Sequence, residues 1–174
     1  AISCALAAVA GLGALAGCAD LNDTGRAALA SRVAAYAVVN DQLVQGEMVL
    51  YPDRTGTLTL RHEVPPMANV TTVNASANSA SVPIGSTVLT SCVGRLRYTA
   101  STLGVIDLRC NEGAIADLNM ALIGDTRGYG YGQTATGLVS LVFGMTPVEA
   151  RAHLTVPRGR QLVERSESGG LDLR

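Results

Sequence analysis

Lysine and tryptophan are absent from this chain of 174 residues, and all 13 of its basic residues are arginine. Without lysine there is no Schiff-base chemistry and no P-loop to grip a nucleotide phosphate. Five tyrosines and one phenylalanine make up the whole aromatic set, too few to build stacking platforms for bases or sugars. The basic residues are balanced by 14 acidic ones, leaving a net charge of −1. They form no basic stripe in the sequence, so nucleic acid is not expected as a partner. Only two histidines, His62 and His153, supply side chains that ordinarily titrate near neutral pH. A G-x-S-x-G elbow is missing, and it is the strained turn that would present a serine nucleophile. The cysteines are spaced too widely for a metal half-site, so neither a metal nor a cofactor is expected. The chain therefore reads as a non-enzyme, with a carboxylate-driven hydrolase as the least favoured alternative.

The N-terminal stretch is the most specific part of what is there. Residues 1–17 carry no charge and are dominated by Ala, Leu, Val, Ile and Gly, the composition of a signal-peptide core. They end in Leu15-Ala16-Gly17-Cys18, with small residues before the cysteine and polar Asp20, Asn22 and Asp23 soon after it. These residues resemble the lipobox of bacterial lipoproteins. The resemblance implies cleavage before Cys18, lipid attachment to Cys18, and anchoring in a membrane by two or three acyl chains, since one chain alone holds only marginally. No Met and no positive n-region precede the run, so residues 1–17 are expected to be a signal peptide lacking its start. Residue 19 is Ala, where Asp resembles an inner-membrane retention signal in enteric bacteria. The expected address is thus the cell envelope, with the outer membrane favoured and the domain facing the periplasm.

That address gives meaning to the remaining cysteines. Cys4 leaves with the leader, and Cys92 and Cys110 form an even pair in a compartment that oxidises thiols. Residues 87–98 and 104–110 read as two strands. If Cys92 faces Cys110 in an antiparallel hairpin, Arg95 faces Asp107 as an ion pair, Leu96 faces Ile106, Gly94 faces Leu108 and Tyr98 meets Gly104 at the turn. One register satisfies the disulfide, the charge pair and the apolar face together, and such consistency marks a specified structure.

Elsewhere the mature chain is mostly β in pattern. Residues 18–40 are expected as the lipidated cysteine and a tether, with either a short helix over Arg26–Val38 or a first strand over Arg32–Val39. Two strands flank Pro52-Asp53-Arg54-Thr55-Gly56, a turn in which Pro sets φ, Asp bonds nearby backbone and Gly is expected at positive φ. Residues 65–83 read as a strand fragment followed by a flexible loop. Residues 137–143 are apolar on both faces apart from Ser140, which predicts a strand covered on both sides. Thr146-Pro147-Val148-Glu149 is a capping box opening a short helix that reaches Leu154, with Val148, Ala152 and Leu154 expected to pack. Residues 157–174 are charged and aperiodic and are expected as a flexible tail.

The expected fold is all-β and mainly antiparallel, a small β-sandwich or barrel over residues 41–156 with one short C-terminal helix. The Cys92–Leu96 and Leu108–Gly113 stretches and the Gly128–Gly132 run are similar to those of uncharacterised small proteobacterial lipoproteins, a family with no activity to carry over. Tyr129 and Tyr131, interleaved with Gly128, Gly130 and Gly132, form a candidate recognition patch in which both rings point to one side of an extended chain. The expected role is a membrane-tethered β module that binds or supports another envelope component. The alternative is a barrel holding a lipid or apolar small molecule in its interior. The anchoring expectation has a direct check: Cys18→Ser leaves an unprocessed chain that no longer incorporates labelled acyl groups.

Overall fold

The computed structural model describes residues 25–62, 90–165 and 169–174. The leader, Cys18, the start of the tether and the 65–83 segment lie outside the described residues. After a helical turn over residues 25–28, eight antiparallel strands form a closed barrel in sequence order. They are β1 (Ser31–Val39), β2 (Gln42–Leu50), β3 (Thr55–Arg61), β4 (Ser91–Tyr98), β5 (Leu103–Cys110), β6 (Ile115–Gly124), β7 (Arg127–Gln133) and β8 (Leu138–Phe143). A short helix, α1 (Pro147–Arg151), and a small hairpin of β9 (Leu162–Glu164) and β10 (Leu171–Leu173) follow. Of the two architectures expected, the barrel is the one observed.

The barrel closes where β1 pairs with β8, from Ala35 opposite Phe143 to Val39 opposite Val139. The domain therefore begins earlier than residue 41, and its first strand lies inside the expected tether. The alanines of β1 favour a helix by propensity. Its alternation favours a strand, because Ala35, Ala37 and Val39 face the barrel interior while Tyr36 and Val38 are buried on the other face.

Except on β7, whose inward residues are glycines, every strand fills the bore with side chains, among them Met48, Leu60, Leu96, Ile106, Leu118, Met120, Leu141 and Phe143, all at 2% exposure or less. Eight strands leave an interior about wide enough for side chains to meet, so large residues sit beside small ones. Met120 lies between Gly104 and Gly130 across the ladders, and Phe143 between Ala35 and Gly128. A Cβ on Gly128 would come within 2.9 Å of the Phe143 ring, and one on Gly130 would collide with Met120 Sδ and the Asn119 carbonyl.

The β4–β5 hairpin has the register read from the sequence: Cys92 opposite Cys110, Arg95 opposite Asp107, Leu96 opposite Ile106. Cys92 and Cys110 are disulfide-bonded with Cα atoms 4.0 Å apart. The ion pair is shifted by two residues along the same face, because Asp107 meets the diagonal neighbour Arg97 at 3.6 Å rather than Arg95. On a twisted sheet a long guanidinium reaches the diagonal as readily as the direct partner. The β2–β3 turn also departs from expectation: Arg54, not Gly56, adopts positive φ, at 61°. Gly56 is instead an inward strand residue facing Leu50 and Leu96. Asp53 does accept hydrogen bonds from the Thr55 N–H and hydroxyl.

Residues 157–174, expected as a flexible tail, contain β9 and β10 and cover the outside of the barrel. Leu162 and Leu171 are buried there with Leu154, Ala150 and Met145 against Tyr36, Val38, Leu43 and Val142. Gln45 holds the hairpin with both ends of its amide, donating to the Leu171 carbonyl at 2.7 Å and accepting from the Leu171 N–H at 2.9 Å. Hydrogen bonds from Arg165 hold the Asp172 carboxyl below its usual range, despite the opposing effect of burial. This cover explains why β8 is apolar on both faces. The capping box at Thr146 and Glu149 is present. The helix is shorter than expected, and Ala150 and Leu154 pack while Val148 and Ala152 are exposed.

The hairpin bond should show itself in two ways. Neither Cys92 nor Cys110 alkylates without prior reduction, and the double Cys→Ser chain loses about 3 kcal/mol in chemical denaturation, the amount expected for a loop of this size.

Candidate functional site

Alternation along the strands divides each residue's role between bore and outer wall. The outer wall then divides into three parts. One part, on β1, β2 and β8, lies under the C-terminal cover. A second, on β3–β5, is basic, with Arg61, Arg95, Arg97 and Arg109 pointing outward. The third, on β5–β8, is open, with exposed Leu103, Ile115, Ile123, Tyr131 and Leu138 standing among polar Asp117, Asn119 and Gln133.

The open wall contains the Gly/Tyr run. On β7, Tyr129 and Tyr131 share the outer face, with ring centroids 5.9 Å apart in an edge-to-face arrangement. Tyr129 is half-buried because the His153 ring, carried past the end of α1, stacks on it at 4.3 Å. Tyr131 remains 45% exposed. Pairing aligns Tyr129 with Ala121 and Leu103, and Tyr131 with Asn119 and Val105. Leu103, Ile123 and Leu138 are all more than half exposed on the same wall. Partial burial, with the neighbouring Tyr129 adding to it, raises the Tyr131 phenol above its usual range. It is thus a neutral hydroxyl at physiological pH, with both donor and acceptor capacity on an apolar body.

The structure brings the two candidate tyrosines together but gives the glycines another task. Gly128 and Gly130 are buried and point into the bore, making room for Phe143 and Met120. Gly132 likewise lies close to the Asp117 carbonyl. They do not admit a partner's backbone. A strict Gly-Tyr alternation reveals two faces, but local sequence does not say which of them is inside. Leu103, Ile123 and Leu138 escape notice as surface residues for the same reason, although their parity relative to buried neighbours is the signal that finds them.

The two histidines make different contacts. His62 donates its Nδ1–H to the Leu43 carbonyl at 2.9 Å. It borders a groove of about 580 Å³ that also exposes Asp41 and Asp172. Among the described residues neither histidine is hydrogen-bonded to a carboxylate, and no three His, Cys, Asp or Glu side chains gather as a metal site.

No protein-family model matches the chain, and no curated protein does. Among solved structures, a redesigned β-barrel is similar over 68% of this chain and 93% of that one, with 15% sequence identity and a TM-score of 0.43.

Surface and structural side chains should separate cleanly on mutation. Tyr131→Ser with Leu138→Ser changes stability by about 0.5 kcal/mol or less, as expected at exposed sites. Leu171→Ala, in the fully buried cover, costs about 2–5 kcal/mol. Urea denaturation of the two variants measures the difference.

Proposed function

We propose that this chain is a non-catalytic, membrane-tethered β module of a bacterial envelope, held by lipid on Cys18 and binding another envelope protein through the β5–β8 wall. The observation that carries this reading is the contrast between a filled bore and an open wall on which large apolar side chains stay exposed among polar ones. A surface that keeps Leu103, Ile123, Tyr131 and Leu138 exposed has the chemistry of a protein contact, since aromatic and aliphatic groups beside neutral polar ones are typical of such contacts. The Cys92–Cys110 bond is compatible with an oxidising compartment, and the apolar leader ending at Cys18 supports outer-membrane anchoring with the barrel in the periplasm.

A closed barrel is also the architecture that a lipid or small-molecule carrier would use. Such a carrier needs a concave apolar cavity inside. Here a ligand in the bore would have to displace Met48, Met120 or Phe143, each fully buried. The interior therefore favours support or binding at the outer wall over carriage within.

The test is crosslinking in intact cells with a photoreactive residue replacing Tyr131 and, in a separate chain, one replacing Arg61 on the basic wall. A discrete protein adduct from position 131 and not from 61 is expected. Adducts with lipid alone, or the same adducts from both positions, would overturn the proposal.

A further inference from the structure

The basic wall holds a second concave feature, a groove of about 680 Å³ bordered by Arg26, Tyr51, Thr57, Arg95, Arg97 and Asp107. It is built where the chain enters the barrel. Arg26, on the helical turn before β1, lies over the Tyr51 ring at 4.5 Å. It also donates to the Thr55 hydroxyl at 2.8 Å and meets Asp53 at 2.9 Å. These contacts fix its guanidinium at the rim. Arg97 meets Asp107 at 3.6 Å. Arg95 has no ion-pair partner among the described residues. Three guanidinium groups and one carboxylate, Asp107, line the groove, with Asp53 on Arg26 at the rim and Asp117 opposite Asp107 on β6, and Arg95 stands outside both ion pairs. Each guanidinium has five N–H donors in a planar fork, more than a single carboxylate occupies.

We infer that this groove takes the phosphate of an anionic phospholipid headgroup in the membrane to which the chain is tethered. A phosphodiester carries one negative charge, which the unpaired guanidinium of Arg95 can meet, and its oxygens suit the bidentate geometry of arginine. A choline headgroup would set its own cation against Arg26 and Arg97, so the groove selects anionic lipid. The choice of a lipid source rests on the proposed anchoring. Arg26 follows Cys18 by eight residues, a span of at most about 30 Å, so an anchored chain keeps this rim within reach of the bilayer surface. Docking there orients the barrel and leaves the β5–β8 wall free for a partner.

The experiment uses the full chain reconstituted in nanodiscs of phosphatidylcholine alone or mixed with phosphatidylglycerol, read by the amide NMR shifts of Thr57, Arg95 and Arg97. Shifts in the anionic discs that vanish in phosphatidylcholine and weaken about tenfold in apparent affinity in Arg95→Gln are expected, the loss of one charge-assisted contact. Arg95 is exposed, so this variant keeps its melting temperature. Identical spectra in the two discs, or unchanged shifts in Arg95→Gln, would overturn the proposal. So would equal shifts from inorganic phosphate added to phosphatidylcholine discs, which would make the ligand a free anion, or displacement of the lipid by polyglutamate, which would make it an acidic protein segment. The mass of the purified chain reports acylation independently. A chain without acyl groups that still responds to phosphatidylglycerol removes the tether and leaves the groove proposal standing, whereas an acylated chain with no response removes the groove proposal alone.

Discussion

Eight strands closed on themselves leave a bore in which side chains from opposite walls must share a fixed width. Most of this molecule answers to that limit. Large inward residues need small neighbours on the adjoining strands. Leu60 lies between Gly46 and Cys92, and Gly94 lies between Leu58 and Leu108. Glycine in a strand interior is entropically unfavourable, yet here it is buried on the inward face of four strands, at Gly56, Gly94, Gly104, Gly128 and Gly130, and a methyl group at Gly130 has no room beside Met120. The disulfide obeys the same limit, since two cysteines occupy one bore position less bulkily than two leucines would.

The parts legible in the sequence are those whose physics is local. The β4–β5 hairpin is readable because the disulfide, the alternation and the short turn all impose one register. The helix start at Thr146 is readable because a capping box needs only four residues. The C-terminal hairpin is not. Its strands are three residues each, and only Leu162 and Leu171 bury a side chain fully. Their partners Tyr36, Val38 and Val142 are far away in sequence, so no local pattern marks the segment as ordered. The first strand is ambiguous for a different reason. Its alanines are there to clear space for Phe143 and the rest of the bore, and alanine chosen for size looks the same as alanine chosen for helix propensity. At the candidate site, the tyrosine pair is visible in the sequence but the purpose of the glycines between them is not.

The outer wall expresses a division that composition alone conceals. The chain is nearly neutral, yet arginines concentrate on β3–β5 and exposed apolar groups on β5–β8, while the C-terminal segment covers the remainder. His153 belongs to this division: by stacking on Tyr129 it ends the cover at the margin of the open wall, so that Tyr131 is presented and Tyr129 is held. A phenol supported from behind loses little side-chain freedom when a partner arrives, which lowers the cost of ordering a contact.

The seam between β1 and β8 has a bearing on how the chain assembles. Every other barrel pairing joins strands consecutive in sequence, but Ala35 meets Phe143 only after nearly the whole domain has been traversed. Closing so long a loop is entropically unfavourable and slows folding. Until that happens, both strands are open edges able to recruit another chain. Asn40 addresses this point directly, because its Oδ1 accepts hydrogen bonds from the Thr134 and Thr136 hydroxyls and ties the β1–β2 turn to the β7–β8 turn beside the seam. The chain thus carries, at the two ends of its own sheet, both its open edges and the clasp that joins them.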